Sequence, residues 1–280
     1  MIHGIINVYK EKGFTSHDVV AKLRGIVGQK KIGHTGTLDP DATGVLPVCL
    51  GKATKLCDLL TDKNKTYEAV LLLGKTTDTQ DITGEVLEEK STEALTEEKV
   101  REAIEGFIGD YEQIPPMYSA LKVNGKKLYE LAREGKVIER KARPVKILDI
   151  QILEIDLPKV RMEVSCSKGT YIRTLCHDIG EKLGCGGCME SLIRTRVSTF
   201  RIEDAKMLDE IETLKQEGKL AELLVPIDAM FPSYPKITVK DDWKAFAKNG
   251  NPLDLKMLKE ACGQDEETQV RLYDESGKFI

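Results

Sequence analysis

The chain has 280 residues, enough for one large domain plus a small one, and its 41% hydrophobic content suffices for a packed core. No segment approaches the roughly 18 consecutive apolar residues of a membrane-spanning helix, and an odd number of cysteines, seven, points to reduced thiols and a cytoplasmic protein, not a secreted disulfide framework. The net charge of −4 excludes a uniformly basic nucleic-acid coat but hides an asymmetry: Tyr118 to Lys146 holds nine bases against three acids, while Glu85 to Glu112 holds ten acids against three bases.

In chain order, Ser16 is expected to cap a helix through Leu23 that ends near Gly25 or Gly28. The run from Gly33 to Gly44, GHTGTLDPDATG, follows. Its glycines Gly33, Gly36 and Gly44 permit positive φ or close approach of another backbone, and Pro40 restricts Asp39 to extended backbone, so the loop can aim a carboxylate. Leu46 to Leu60 reads as a strand end followed by a helix, and Tyr67 to Leu73 as a strand bounded by Gly74. Thr96 is expected to cap a helix from Glu97 to Ile108, whose Val100, Ile104 and Ile108 recur at four-residue spacing before Pro115-Pro116. Strands are expected over Val145 to Ile155 and Val160 to Cys166, a helix over Tyr171 to Leu183, and a further strand near Ile193 to Phe200. Helices and strands alternate without a regular βαβ rhythm, which favours an α+β fold. No repeat or low-complexity tract interrupts the chain, and the prolines of Phe231-Pro232-Ser233-Tyr234-Pro235 mark a domain boundary that separates residues 1–231 from 232–280.

Other motifs have bland explanations. Asp39-Pro40-Asp41-Ala42-Thr43 fits the Asp-x-Asp-x-Thr pattern of haloacid-dehalogenase-type phosphatases, but that motif follows a hydrophobic strand and Gly33 to Leu38 is a poor one. Cys185-x-x-Cys188 lacks the second ligand pair of a structural zinc site and reads as thiols in a glycine turn. Asp78 and Asp81 read as turn caps, with no metal expected.

The run from Gly33 to Gly44 resembles the catalytic loop of the bacterial tRNA pseudouridine-55 synthases, the TruB-type family, with Asp39 as the catalytic aspartate. Asn7 to Ser16 resembles that family's N-terminal segment, with Glu11 where a proline is usual. Lys65-Thr66-Tyr67 resembles its Lys-x-Tyr segment, and Ser167 to Leu175 its third signature. Pro115 to Lys122, with Leu128-Tyr129 and Ala132 to Gly135, resembles its RNA-gripping insertion at about 115–146, a flexible clamp expected to order on RNA.

The resemblance covers roughly residues 4 to 200 and implies a pseudouridine-synthase fold, with a central mixed, mainly antiparallel sheet flanked by helices. It also implies a small, shortened, β-rich PUA-like RNA-binding domain over 232–280. The implied reaction isomerises uridine 55 in the tRNA T loop: a C–N glycosidic bond breaks and a C–C bond forms, with no cofactor, metal or energy source. Asp39, Tyr67 and Arg173 would be catalytic, Arg173 keeping Asp39 ionised by pairing with it. Tyr67, Tyr171, Leu192 and Lys10 would contact the flipped uridine, and His34 would fill the space it leaves in the RNA. The implied partner is the tRNA T arm, bound by a monomer with no obligatory protein partner and no membrane. The alternatives are a non-catalytic tRNA-binding or folding module and a guide-RNA-dependent synthase.

Overall fold

The computed structural model describes residues 1–123, 125–259 and 268–280. Strand β1 (Gly4–Lys10) leads into helix α1 (Ser16–Val27), which left-handed Gly28 closes. Thr15, not Ser16, caps this helix: its hydroxyl accepts from the Asp18 amide at 3.1 Å, and Asp18 accepts in return from the Thr15 amide at 2.8 Å. Ser16 is thereby released to accept the Leu38 amide at 2.9 Å, pinning the glycine-rich loop to the helix start. That loop joins β2 (Ile32–His34) to β3 (Thr43–Leu50). A 3-10 segment (Gly51–Leu56) and α2 (Cys57–Thr61) then lead to β4 (Lys65–Leu73).

A short hairpin, β5 (Lys75–Thr77) and β6 (Val86–Glu89), precedes α3 (Glu97–Glu105) and β7 (Gly109–Gln113). The helix expected to reach Ile108 therefore stops at Glu105. Gly106 caps it, and the chain turns into an edge strand for which the sequence reading placed no element. The basic segment contributes β8 (Lys122–Val123), β9 (Lys126–Lys127) and α4 (Leu128–Arg133). Expected as a loose clamp, it is folded here around the fully buried Leu128. Next come β10 (Arg143–Asp156), β11 (Lys159–Cys166), α5 (Ile172–Leu183), β12 (Gly187–Val197), β13 (Phe200–Arg201) and α6 (Leu208–Gln216). The strand expected from Ile193 thus begins at Gly187, and Cys188 is a strand residue in the core, not part of a turn. The tail supplies β14 (Lys236–Thr238), α7 (Lys244–Lys248) and β15 (Arg271–Tyr273), with β14 and β15 paired in parallel. Part of the expected PUA-like module falls outside the described residues.

The main sheet runs β1-β3-β12-β4-β11-β10-β7, with β2 added to β3 and β13 to β12. Every pairing is antiparallel except β3 with β12, which makes the sheet mixed and mainly antiparallel, as expected. The parallel pairing is very close. A Cβ on Gly44, at φ 104°, would lie 2.3 Å from the Arg194 carbonyl oxygen, so only glycine fits there.

One face of β4, β11 and β12 packs on α3 and α5, joining Leu71, Ile104, Met162, Leu175 and Ile179 in one core. Burying apolar residues of α5 such as Leu175 and Ile179 stabilises the fold by about 1.5–3 kcal/mol each, and this anchors the helix whose first turn carries Arg173. Helices α1 and α6 cover Ile6, Val8, Leu46 and Val48 of β1 and β3 in a second core.

Candidate active site

The loop from Gly36 to Pro40 is held on several sides. Beyond the Ser16 bond, the Gly13 amide donates to the Pro40 carbonyl at 2.9 Å, and Lys10 Nζ donates to the same oxygen at 3.0 Å. Lys10 is fully buried at the end of β1, and its ammonium also serves the carbonyls of Glu11 at 3.0 Å and Phe14 at 2.6 Å. Its hydrogen bonds hold the loop that carries Asp39, and the resemblance implies a substrate contact for it as well. Burial pulls its pKa down to about 8 against the attraction of Asp39 and Asp41.

So restrained, Asp39 meets Arg173. The guanidinium grips the carboxylate with two nitrogens, Nε to Oδ2 at 3.0 Å and Nη2 to Oδ1 at 3.3 Å. The Arg173 side chain is only 7% exposed, while Asp39 remains 41% exposed, so the carboxylate is backed by protein and open on its other side. Burial raises the Asp39 pKa above the ordinary aspartate value; Arg173 and Lys10 pull it back, and Asp81 and Asp41 add to the rise. Arg173 therefore favours the charged form, as expected, but does not set the net direction. Asp178, on the same helix as Arg173, is taken by the Tyr111 hydroxyl.

Arg173 gathers more than Asp39. Its Nη1 lies 3.6 Å from Asp81 Oδ2 and donates to the Thr79 carbonyl at 3.2 Å, while Nη2 donates to the Tyr118 carbonyl at 2.9 Å. Asp81 is a turn cap, as read from the sequence, accepting from the Thr83 amide at 3.0 Å, but it is also part of the site. Tyr118 begins the basic segment, and its hydroxyl donates to Asp78 Oδ2 at 3.4 Å. Within that segment Arg140 donates to the Pro115 carbonyl at 3.0 Å.

Tyr67 lies on the α5-facing side of β4, 8% exposed, in the same core as Leu38 of the loop and Leu192 of β12. Burial pushes its phenol up to about 12, so it enters any reaction at neutral pH with its proton on. Tyr171, half-buried, caps α5, and its backbone is clamped by Gln113: the Tyr171 amide donates to Oε1 at 2.7 Å, and Nε2 donates to the Tyr171 carbonyl at 3.0 Å. His34 ends β2, half-buried, with Nδ1 accepting the Gly36 amide at 3.3 Å; this puts the ring proton on Nε2. Burial, then the nearby His17, lower its pKa and keep the ring neutral.

The structure thus brings Asp39, Arg173, Tyr67 and Leu192 into one region, with His34 and Lys10 on or beneath the loop. Sequence reasoning missed Arg194. It is fully buried on β12, opposite Tyr67 in the strand register, and donates to the carbonyls of Val45 at 2.7 Å, Thr37 at 3.4 Å and Gly36 at 3.4 Å. The available signal was an arginine two residues after Leu192 on the expected strand, where the same face of the strand would carry an apolar residue and a charge together.

A carboxylate held by arginine beside a tyrosine, on a mixed sheet, is the arrangement that the resemblance to pseudouridine synthases implies. Comparison with known proteins narrows it. The family model described as "TruB family pseudouridylate synthase (N terminal domain)" matches residues 24–172, and "tRNA pseudouridylate synthase B C-terminal domain" matches residues 173–232. The chain belongs to the TruB family of pseudouridylate synthases. It is 59% identical to a tRNA pseudouridine synthase B of Lachnoclostridium phytofermentans, over 99% of this chain and 94% of that one. It is 50% identical to one of Alkaliphilus oremlandii, over 89% and 82%. Among solved structures, a Cbf5-Nop10-Gar1 complex aligns with TM-score 0.72 and 30% identity, over 99% of this chain and 77% of that one.

Proposed function

We propose that this protein isomerises uridine to pseudouridine in tRNA, at position 55 of the T loop, with Asp39 as the essential carboxylate. The bidentate pairing of Arg173 with a loop-held, solvent-open Asp39 carries this reading. The N1–C1′ bond breaks, a C5–C1′ bond forms, the C5 proton leaves and N1 takes up a proton, so the product is an isomer and no group is added from outside. Asp39 supplies a nucleophile or base fixed in place, Arg173 supports its ionised form, and Tyr67 offers a flat, protonated ring for the extruded base. Tyr171 and Leu192 border the base, and the His34 ring fills the gap in the RNA.

Residues 1–231 form the catalytic domain with its insertion near 115–146, and 232–280 an accessory PUA-like RNA-binding domain; the end of the family match at residue 232 supports that division. The protein works as a monomer in the cytoplasm, needing neither cofactor nor protein partner. Among the described residues no helix is long and apolar enough to cross a membrane.

The test is tritium release from C5-labelled uridine in an unmodified tRNA transcript, with purified chain alone. Stoichiometric release, abolished when uridine 55 is replaced by cytidine, is expected. Binding without release would make the protein a tRNA-binding or folding module. Release only with added guide RNA would place it with the guide-dependent enzymes.

A further inference from the structure

Arg194 is a fully buried guanidinium with no carboxylate partner among the described residues. Such a cation loses several kcal/mol in desolvation and is retained only where its hydrogen bonds offset that loss. Those bonds have a pattern. Nη1 and Nη2 hold the carbonyls of Thr37 and Gly36, immediately before Leu38 and Asp39, and Nε holds the Val45 carbonyl at the loop's far end. Tyr67 is the cross-strand neighbour of this guanidinium, and each side chain bears on the other's ionisation.

Arginine carries five N–H donors and no acceptor. Carbonyls take three of them, which leaves donors for Tyr67, and any hydrogen bond between the two must run from arginine N–H to phenol oxygen. The hydroxyl proton of Tyr67 is then directed away from Arg194. At the same time, Gly44 packs against the Arg194 backbone so closely that strand and loop cannot slide past one another.

We propose that Arg194 is a positioning residue for the isomerisation: one rigid guanidinium fixes the orientation of the Tyr67 hydroxyl relative to the loop that presents Asp39. The inference rests on the proposed reaction at this site. Lysine in place of Arg194 would keep a charge but could not span Thr37, Gly36, Val45 and Tyr67 at once.

The test compares Arg194→Lys with the wild-type chain on the same unmodified tRNA transcript. The expected result is a single-turnover rate at saturating RNA at least a hundredfold lower, tRNA affinity within threefold, and a moved 13C resonance of the Tyr67 ring carbon that bears the hydroxyl, assigned by its absence in Tyr67→Phe. An unchanged rate, an unchanged Tyr67 resonance, or a loss confined to affinity overturns the inference. Should Arg194→Lys fail to fold, the wild-type chain decides: slowly exchanging Arg194 guanidinium protons with through-space transfer to the Tyr67 ring are expected, and their absence overturns it. A wild-type chain that releases no tritium would sink the reaction itself, a result separate from any of these.

Discussion

Arg173 and Asp39 lie 134 residues apart in sequence, yet they form a two-nitrogen, two-oxygen pair in which the arginine is enclosed and the aspartate remains reachable. The asymmetry suits a carboxylate that must react: its charge is supported from behind while its front is left open.

Replacing Asp39 by asparagine keeps the shape and removes the charge and basicity. Asp39→Asn is expected to lower single-turnover isomerisation by on the order of a thousandfold or more while tRNA affinity stays within a few-fold. Activity within tenfold of wild type in the tritium assay would take Asp39 out of its role.

The acid side of the pH profile should follow the neighbours of Asp39. Turnover requires its ionised form, so the rate falls as pH drops through its folded pKa, which burial places above the ordinary aspartate value. Asp81 adds to that rise and Arg173 opposes it. Asp81→Asn should therefore move the acid limb to lower pH, and Arg173→Gln should move it to higher pH while also slowing the reaction. Limbs that move in the same direction would refute this electrostatic account.

On the alkaline side, Lys10 should govern the loop. Three carbonyl oxygens need three ammonium protons, and burial brings the folded pKa down to about 8 from an ordinary 10.5. Activity should decline above about pH 8 as the Pro40 carbonyl loses its donor. Stability behaves oppositely: between pH 8 and 10.5 the unfolded chain holds a proton that the folded chain has released, so stability relative to Lys10→Met rises with pH across that window. Rate profiles and thermal melts of wild type and Lys10→Met over pH 7 to 11 check both signs; a wild-type Tm that falls relative to that of Lys10→Met as pH rises counts against them.

The basic segment should act through charge alone at Lys122, Lys126, Lys136 and Lys141, all exposed. Exchanging these four for glutamine is expected to weaken tRNA binding and to reduce the salt slope by roughly 0.7–0.9 for each phosphate no longer neutralised, with single-turnover rate at saturation little changed. Arg140 is left alone because it supports the Pro115 carbonyl. An unchanged slope measured by filter binding from low to high salt would make the segment ordinary solvated surface.

Much of this was legible in the sequence because the chemistry is local. Asp39 announced itself through glycines and a proline within a few residues, and Tyr67 and Arg173 through short flanking patterns. What stayed hidden depends on distant partners. Arg194 gains its meaning from carbonyls about 150 residues earlier, and Asp81 from a guanidinium on another element. Residues 106–108 were read as helix because Val100, Ile104 and Ile108 keep helical spacing, and the short strand β7 that follows went unassigned because its extended form is fixed by pairing with distant β10. At the start of α1 the choice between Thr15 and Ser16 turned on Asp18 reaching back to Thr15, whereas Ser16 was claimed by Leu38.

The guanidinium of Arg173 touches three separate stretches of chain: the aspartate loop, the turn at Thr79 and Asp81, and the base of the insertion at Tyr118. Prising the insertion away would strand part of a nearly enclosed cation without its carbonyl. The three stretches are riveted at one point, and whatever leans on the insertion pulls on the same rivet that steadies the Asp39 carboxylate.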